Sequence, residues 1–296
     1  MTISVARLQV FTLAAVGCIA AVVIMVGIWN RNNADPGQIF WAAIANNLST
    51  QGMTIQVSQS SGGGTEQQLT QVGFGAYPLV RTLTVLSGAH SLVKTEDLST
   101  PRAEYTRYDQ LETDHRARDG RPINFSSAIG VWAQTATTRS VGTSPPAYGQ
   151  ILLGLSLPAG DLPLSQRSQL IAQMQNDQVY TADFAHVKKK HFEGRAVDVY
   201  SVTIQPLLYI QLMKSYATDM GLHQLDQLSP NSYAGQPAIS MNWVIDARAK
   251  QLVRADYGGG RVETYSGYGV PVTTPVPAHP IAAQALQQRV SQLIND

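Results

Sequence analysis

Apolar and polar residues alternate over 53–58, where Met53, Ile55 and Val57 are separated by Thr54, Gln56 and Ser58. A period of two puts one set of side chains on each face of an extended chain, so this segment is expected to be a half-buried strand. Ser60-Ser61-Gly62-Gly63-Gly64 then reads as a flexible turn. Further strands are expected at 66–74, 79–86, 91–98, 102–111 and 129–134, spaced closely enough for an antiparallel meander. A second group at 179–187 and 196–204 flanks a polar segment, 188–195, expected to be a hairpin turn. Three more strands fit 238–246, 251–257 and 260–268. The apolar run Ile151-Leu152-Leu153-Gly154-Leu155 is expected to be buried within a long connection that begins at Thr143-Ser144-Pro145-Pro146.

Between these strands the period changes to that of a helix. Asp35-Pro36-Gly37-Gln38 carries start signals, and Phe40, Ala43, Ile44 and Leu48 follow on one face to about Asn47. Ser165 is expected to cap a short helix to about Gln175. Pro206 opens another that Gly221 ends, with an apolar stripe of Tyr209, Leu212, Met213, Tyr216 and Met220. After a proline-rich crossing at 271–280, a last helix aligns Leu286, Val290 and Leu293. The order predicts an α+β fold with one large antiparallel sheet, which must curl at this strand number, and helices on its concave face.

The run before this domain is different. Residues 10–29 carry no charge and include Phe11, Leu13, Val22, Ile24, Val26, Ile28 and Trp29. At 1.5 Å per residue, about 19 residues span the hydrocarbon of a bilayer. A transmembrane helix is therefore expected at 10–29, with a short cytoplasmic tail, 1–9, and an extracytoplasmic domain, 30–296. A cleaved signal peptide has a shorter core and a small-x-small site, which Asn30-Arg31-Asn32-Asn33-Ala34 does not supply. Cys18, after Ala15-Val16-Gly17, lies too deep in the run for a lipidation site. Arg7 before the helix gives a slight bias toward an N-terminus inside, so a single-pass protein of the cell membrane is expected.

Composition narrows the chemistry. The net charge is +1 and charged residues make up 14% of the 296, so there is no basic field for nucleic acid or for anionic lipid. One cysteine excludes an intramolecular disulfide. The six histidines, His90, His115, His186, His191, His223 and His279, are scattered, and no HExxH or CxxC occurs, so no metal or cofactor is expected. His186 and His191 across the hairpin, and Lys188-Lys189-Lys190 as a headgroup contact, have bland readings as strand-end and turn residues. The chain has no GxSxG elbow and no phosphate loop, and no carboxylate pair stands out. An enzyme is not expected.

Two segments carry a resemblance. Asn242-Trp243-Val244-Ile245-Asp246 followed by Leu252-Val253-Arg254 is similar to the "W-x-x-D, turn, L-x-R" hairpin of the LolA/LolB/LppX lipoprotein-carrier superfamily, in its LppX/LprG branch. Tyr265-Ser266-Gly267-Tyr268-Gly269-Val270-Pro271-Val272 resembles that branch's closing strand. The likeness covers about residues 195–280. It implies a half-barrel sheet with an apolar cavity under its helices, in a family whose members bind acyl chains or lipidated partners. The pocket lining would be Tyr209, Leu212, Met213, Tyr216, Met220 and Trp243; plain core packing is the other reading of the same stripe. This chain departs from the pattern in having a membrane helix where those relatives have a cleaved signal. The leading expectation is a membrane-anchored binding domain for a lipid or other apolar ligand, acting in capture, transfer or sensing at the cell envelope. The alternative is a structural or adaptor component of an envelope or secretion assembly, with a protein partner and no small ligand.

Overall fold

The computed structural model describes residues 35–61, 63–117, 120–136, 147–222, 225 and 228–295. The expected membrane helix, Cys18, the start of the connection at 143–146 and His223 lie outside the described residues. Among the described residues, no helix is long and apolar enough to cross a membrane.

The first helix, α1 (Pro36–Asn47), starts where its signals place it, with the Asp35 carboxylate accepting the Gly37 N–H at 3.0 Å. Five long strands follow as a meander: β1 (Gly52–Ser61), β2 (Gly64–Gly73), β3 (Leu79–Gly88), β4 (Ser91–Ser99) and β5 (Ala103–Thr113). A short β6 (Ala133–Ala136) completes this half. Helices α2 (Ala147–Gly154) and α3 (Leu164–Asn176) lead to the second half, with β7 (Tyr180–Ala182), β8 (Lys188–Phe192), β9 (Arg195–Ile204), α4 (Pro206–Asp219), β10 (Ile239–Asp246), β11 (Gln251–Gly258) and β12 (Arg261–Ser266). The chain finishes with β13 (Ile281–Ala282) and α5 (Ala283–Asn295).

All the described strands join one curved, open sheet in the order β13-β6-β5-β4-β3-β2-β1-β12-β11-β10-β9-β7, with β8 also on β9. Every pairing is antiparallel except β13 with β6. The two halves meet at the β1–β12 seam, where Thr54 faces Ser266 and Gln59 faces Arg261. The helices lie on one face. There the strands send in Met53, Ile55, Tyr200, Val202, Met241, Trp243 and Ile245, and α1, α3 and α4 close over them. Helix α4 ends in a Schellman arrangement. Gly221 takes a φ of +65°, and the Leu222 N–H reaches the Ala217 carbonyl at 2.8 Å.

Several elements differ from expectation. Lys188–Phe192 is a strand, not a turn: it pairs with β9 from Lys188↔Val199 to Phe192↔Arg195, and only Glu193-Gly194 turns. Its charged run has no alternation to reveal it. The strand expected over 179–187 is only Tyr180–Ala182, because the chain bulges at 184–187 before rejoining β9. Ile151–Leu155 belongs mostly to α2. Pro163, not Ser165, occupies the cap of α3, with no side-chain hydrogen bond. Ser60 and Ser61 extend β1, since Ser61 pairs with Gly64.

Residues 271–280 form an extended strap along one end of the first half-sheet, from the seam to β6. Val272 joins the outer-face cluster of Leu79, Leu98 and Tyr105. The strap leaves room only for glycine at the start of β1. A Cβ on Gly52 would lie 2.2 Å from the Val270 carbonyl oxygen and 3.1 Å from that of Val72. Gly52→Ala is therefore expected to cost about 1–3 kcal/mol through forced backbone movement. Urea denaturation checks this, and an unchanged midpoint would contradict the strap's seating.

Candidate functional site

The connection at 155–160 is buried along its whole length yet has no regular structure. Its carbonyls need donors, because an unpaired buried peptide group is costly. Long-range side chains supply them. The Tyr209 hydroxyl donates to the Leu155 carbonyl at 2.5 Å, Tyr180 to Ser156 at 3.2 Å and Tyr216 to Ala159 at 2.5 Å. The Asn47 amide donates to the Leu157 and Pro158 carbonyls at 3.2 and 2.8 Å. Burial pushes the phenols of Tyr180, Tyr209 and Tyr216 well above their usual range, which keeps them protonated as donors.

Leu155 and Ser156 at the start of this braced segment form one wall of a groove of about 740 Å3 that opens to solvent. The opposite wall is the first turn of α4 and the segment after it, with Ile210 and Leu228. The floor is Ile204 of β9 and Met241 of β10, with Ile239 at its lip. Helix α2 borders the groove with Leu153 and also borders a second cavity of about 260 Å3 over Ile55, Val57 and Thr70. Arg261 stands between the two and lines both. It is fixed by Glu263, whose side chain is 3% exposed, through an ion pair of 2.7 Å. The same carboxylate accepts the Tyr257 and Tyr265 hydroxyls at 2.9 and 2.5 Å, and Ser156 lies 3.0 Å from Tyr265. Both phenols are raised, first by burial and then by the Glu263 charge, so they hold their protons at neutral pH. Aliphatic side chains of β9, β10 and α4 share the groove with polar ones, among them Gln150, Gln236 and Arg261, whose buried Nε has no hydrogen-bond partner among the described residues.

Comparisons with known proteins add little beyond this geometry. No protein-family model matches the chain, and no curated protein matches it. Among solved structures, it is similar to LprF from Mycobacterium bovis. The identity is 20%, over 82% of this chain and 97% of that one, with a TM-score of 0.44. At that identity the likeness concerns the fold alone.

The residues singled out from sequence take distinct places. Tyr209 lines the groove. Leu212, Met213 and Tyr216 are fully packed in the core, and Met220 is partly buried against Gly160. Trp243 is completely buried, stacked on Phe40 at 5.4 Å and tilted against Tyr180 at 5.2 Å. Sequence reasoning missed Ile204, Ile210, Ile239, Met241 and Arg261. Ile204, Ile239 and Met241 sit on alternating strand positions that could have suggested them; Leu228, from an irregular segment, gave no periodic signal. Among the described residues, no cluster of three metal-ligating side chains occurs.

Proposed function

We propose that this protein is a membrane-anchored binding domain for an apolar or amphipathic ligand, with the domain on the outer side of a cell membrane. The observation that supports the ligand is the groove. Its volume falls in the range of about 300–1,000 Å3 usual for small-molecule sites, and its lining mixes aliphatic side chains with polar groups that could fix an amphipathic ligand. A hydrocarbon chain would lie over Ile204, Ile210 and Met241, with its polar end toward Arg261. The anchor rests on the uncharged run at 10–29. A groove open on one side suits capture and hand-over of a chain rather than its long enclosure.

Native mass spectrometry of a soluble 30–296 domain, and titration with a fluorescent fatty acid, test this reading. The expected result is co-purified or titratable lipid. Ile239→Trp, at the half-exposed lip of the groove, should weaken binding about tenfold by occupying space, while leaving stability nearly unchanged. A domain that carries no lipid and ignores the probe would refute it.

A further inference from the structure

The sheet face away from the helices has its own feature. β8, β9, β10 and β11 lie side by side, and their registers set Lys188, Val199, Val244 and Arg254 in one row. Lys190 and Val197 are paired in the next row. The result is a trough of about 330 Å3 with a valine floor, Lys188 and Lys190 on one rim and Arg254 beside the carboxylate of Asp256 on the other. The Arg254 guanidinium lies 6.0 Å from the Phe192 ring centroid. Arg254 pairs with Asp256 at 3.1 Å, and His186 with Asp183 at 2.7 Å. Lys188 and Lys190, both exposed, have no carboxylate partner among the described residues. Two unneutralised ammonium groups beside a guanidinium make an anion-binding rim.

The position of the trough says which anion. The domain starts at the β7–β8 edge: the Tyr200 hydroxyl donates to the Pro36 carbonyl at 3.0 Å, and Phe40 packs on Phe184 at 5.4 Å. His186, two residues beyond Phe184, already lines the trough. Only residues 30–34 separate Asp35 from the anchor run, a reach of at most roughly 22 Å at full extension. With the anchor proposed above, this reach would hold the start of α1, and the β7–β8 edge beside it that carries Lys188 and Lys190, close to the bilayer.

We propose that the trough of Lys188, Lys190 and Arg254 binds phosphate headgroups of anionic phospholipids in the membrane that tethers the chain, holding this edge of the sheet against the bilayer. This rests on the anchor proposed above. The test uses the full chain in vesicles of phosphatidylcholine, with or without phosphatidylglycerol, exposed to a membrane-impermeant amine-acylating reagent. Mass spectrometry then reads each lysine. Acylation of Lys188 and Lys190 should fall about fivefold when phosphatidylglycerol is present, with Lys94 and Lys214 unchanged. Equal labelling in both vesicles overturns the proposal while leaving the tether in place. Equal protection by inorganic phosphate in phosphatidylcholine vesicles also overturns it, since the trough would then be a site for free anions. A chain that alkaline carbonate strips from the vesicles removes the tether itself and the proposal with it.

Discussion

Replacing Trp243 by alanine is expected to lower stability by about 3–5 kcal/mol, the range for deleting a fully buried large aromatic. The indole sits where the sheet meets α1. It faces Tyr200 across the β9–β10 pairing, stacks on Phe40 of α1 and leans on Tyr180 of β7. Its N–H points at the Met241 sulfur, 3.1 Å away. None of these neighbours can collapse far, since Phe40 is itself wedged against Trp41, Phe184 and Tyr200. Urea denaturation followed by circular dichroism measures the loss. A cost below about 1 kcal/mol would mean that the site repacks and that the layers are not held together there.

The second large effect is expected at Glu263. Glu263→Ala should cost about 2–4 kcal/mol, because the Tyr257 and Tyr265 hydroxyls both lose their acceptor in a buried setting. The ion pair contributes the smaller part, since the Arg261 side chain is 44% exposed and solvent screens it. Glu263→Gln keeps an acceptor oxygen and should recover much of the loss. If Gln and Ala variants melt alike, the charge and not the hydrogen bonding holds the cluster. The two variants also separate stability from ligand binding. Glu263→Gln frees Arg261 toward the groove, so affinity for an anionic amphiphile should rise as stability falls.

The strands could be read from sequence wherever one face is wet. β1 through β5 and β9 through β12 show alternation because helices cover only one side of the sheet. Where that condition fails, so does the reading. Lys188-Lys189-Lys190 is a strand through its pairing with β9, a long-range fact with no local pattern. Ile151 to Leu155 is apolar without a period and becomes helix only in its tertiary setting. The hairpin around Trp243 was legible in more detail. Trp243 enters the core, and the Asp246 carboxylate accepts the Arg248 and Ala249 N–H groups at 2.8 Å each to cap the turn. Arg254 emerges on the far face. The groove was not legible as a groove, since two of its walls come from segments without a periodic pattern: 155–160, braced by tyrosine hydroxyls far away in sequence, and 228–236, held by short-range turns.

The β1–β12 seam has a consequence for how the chain acquires this shape. The meander from β1 to β5 is made of neighbouring hairpins and can assemble early from local contacts. Its inner margin, the edge of β1 away from β2, finds no partner until residues 261–266 exist, some two hundred positions later. Its outer margin, β6, waits for Ile281. Such distant closures slow folding, and each raw margin invites pairing with another chain in the interval. A nascent chain halted before β12 would therefore hold two unjoined half-sheets, and the stretch from Arg261 onward acts as the rivet that makes them one.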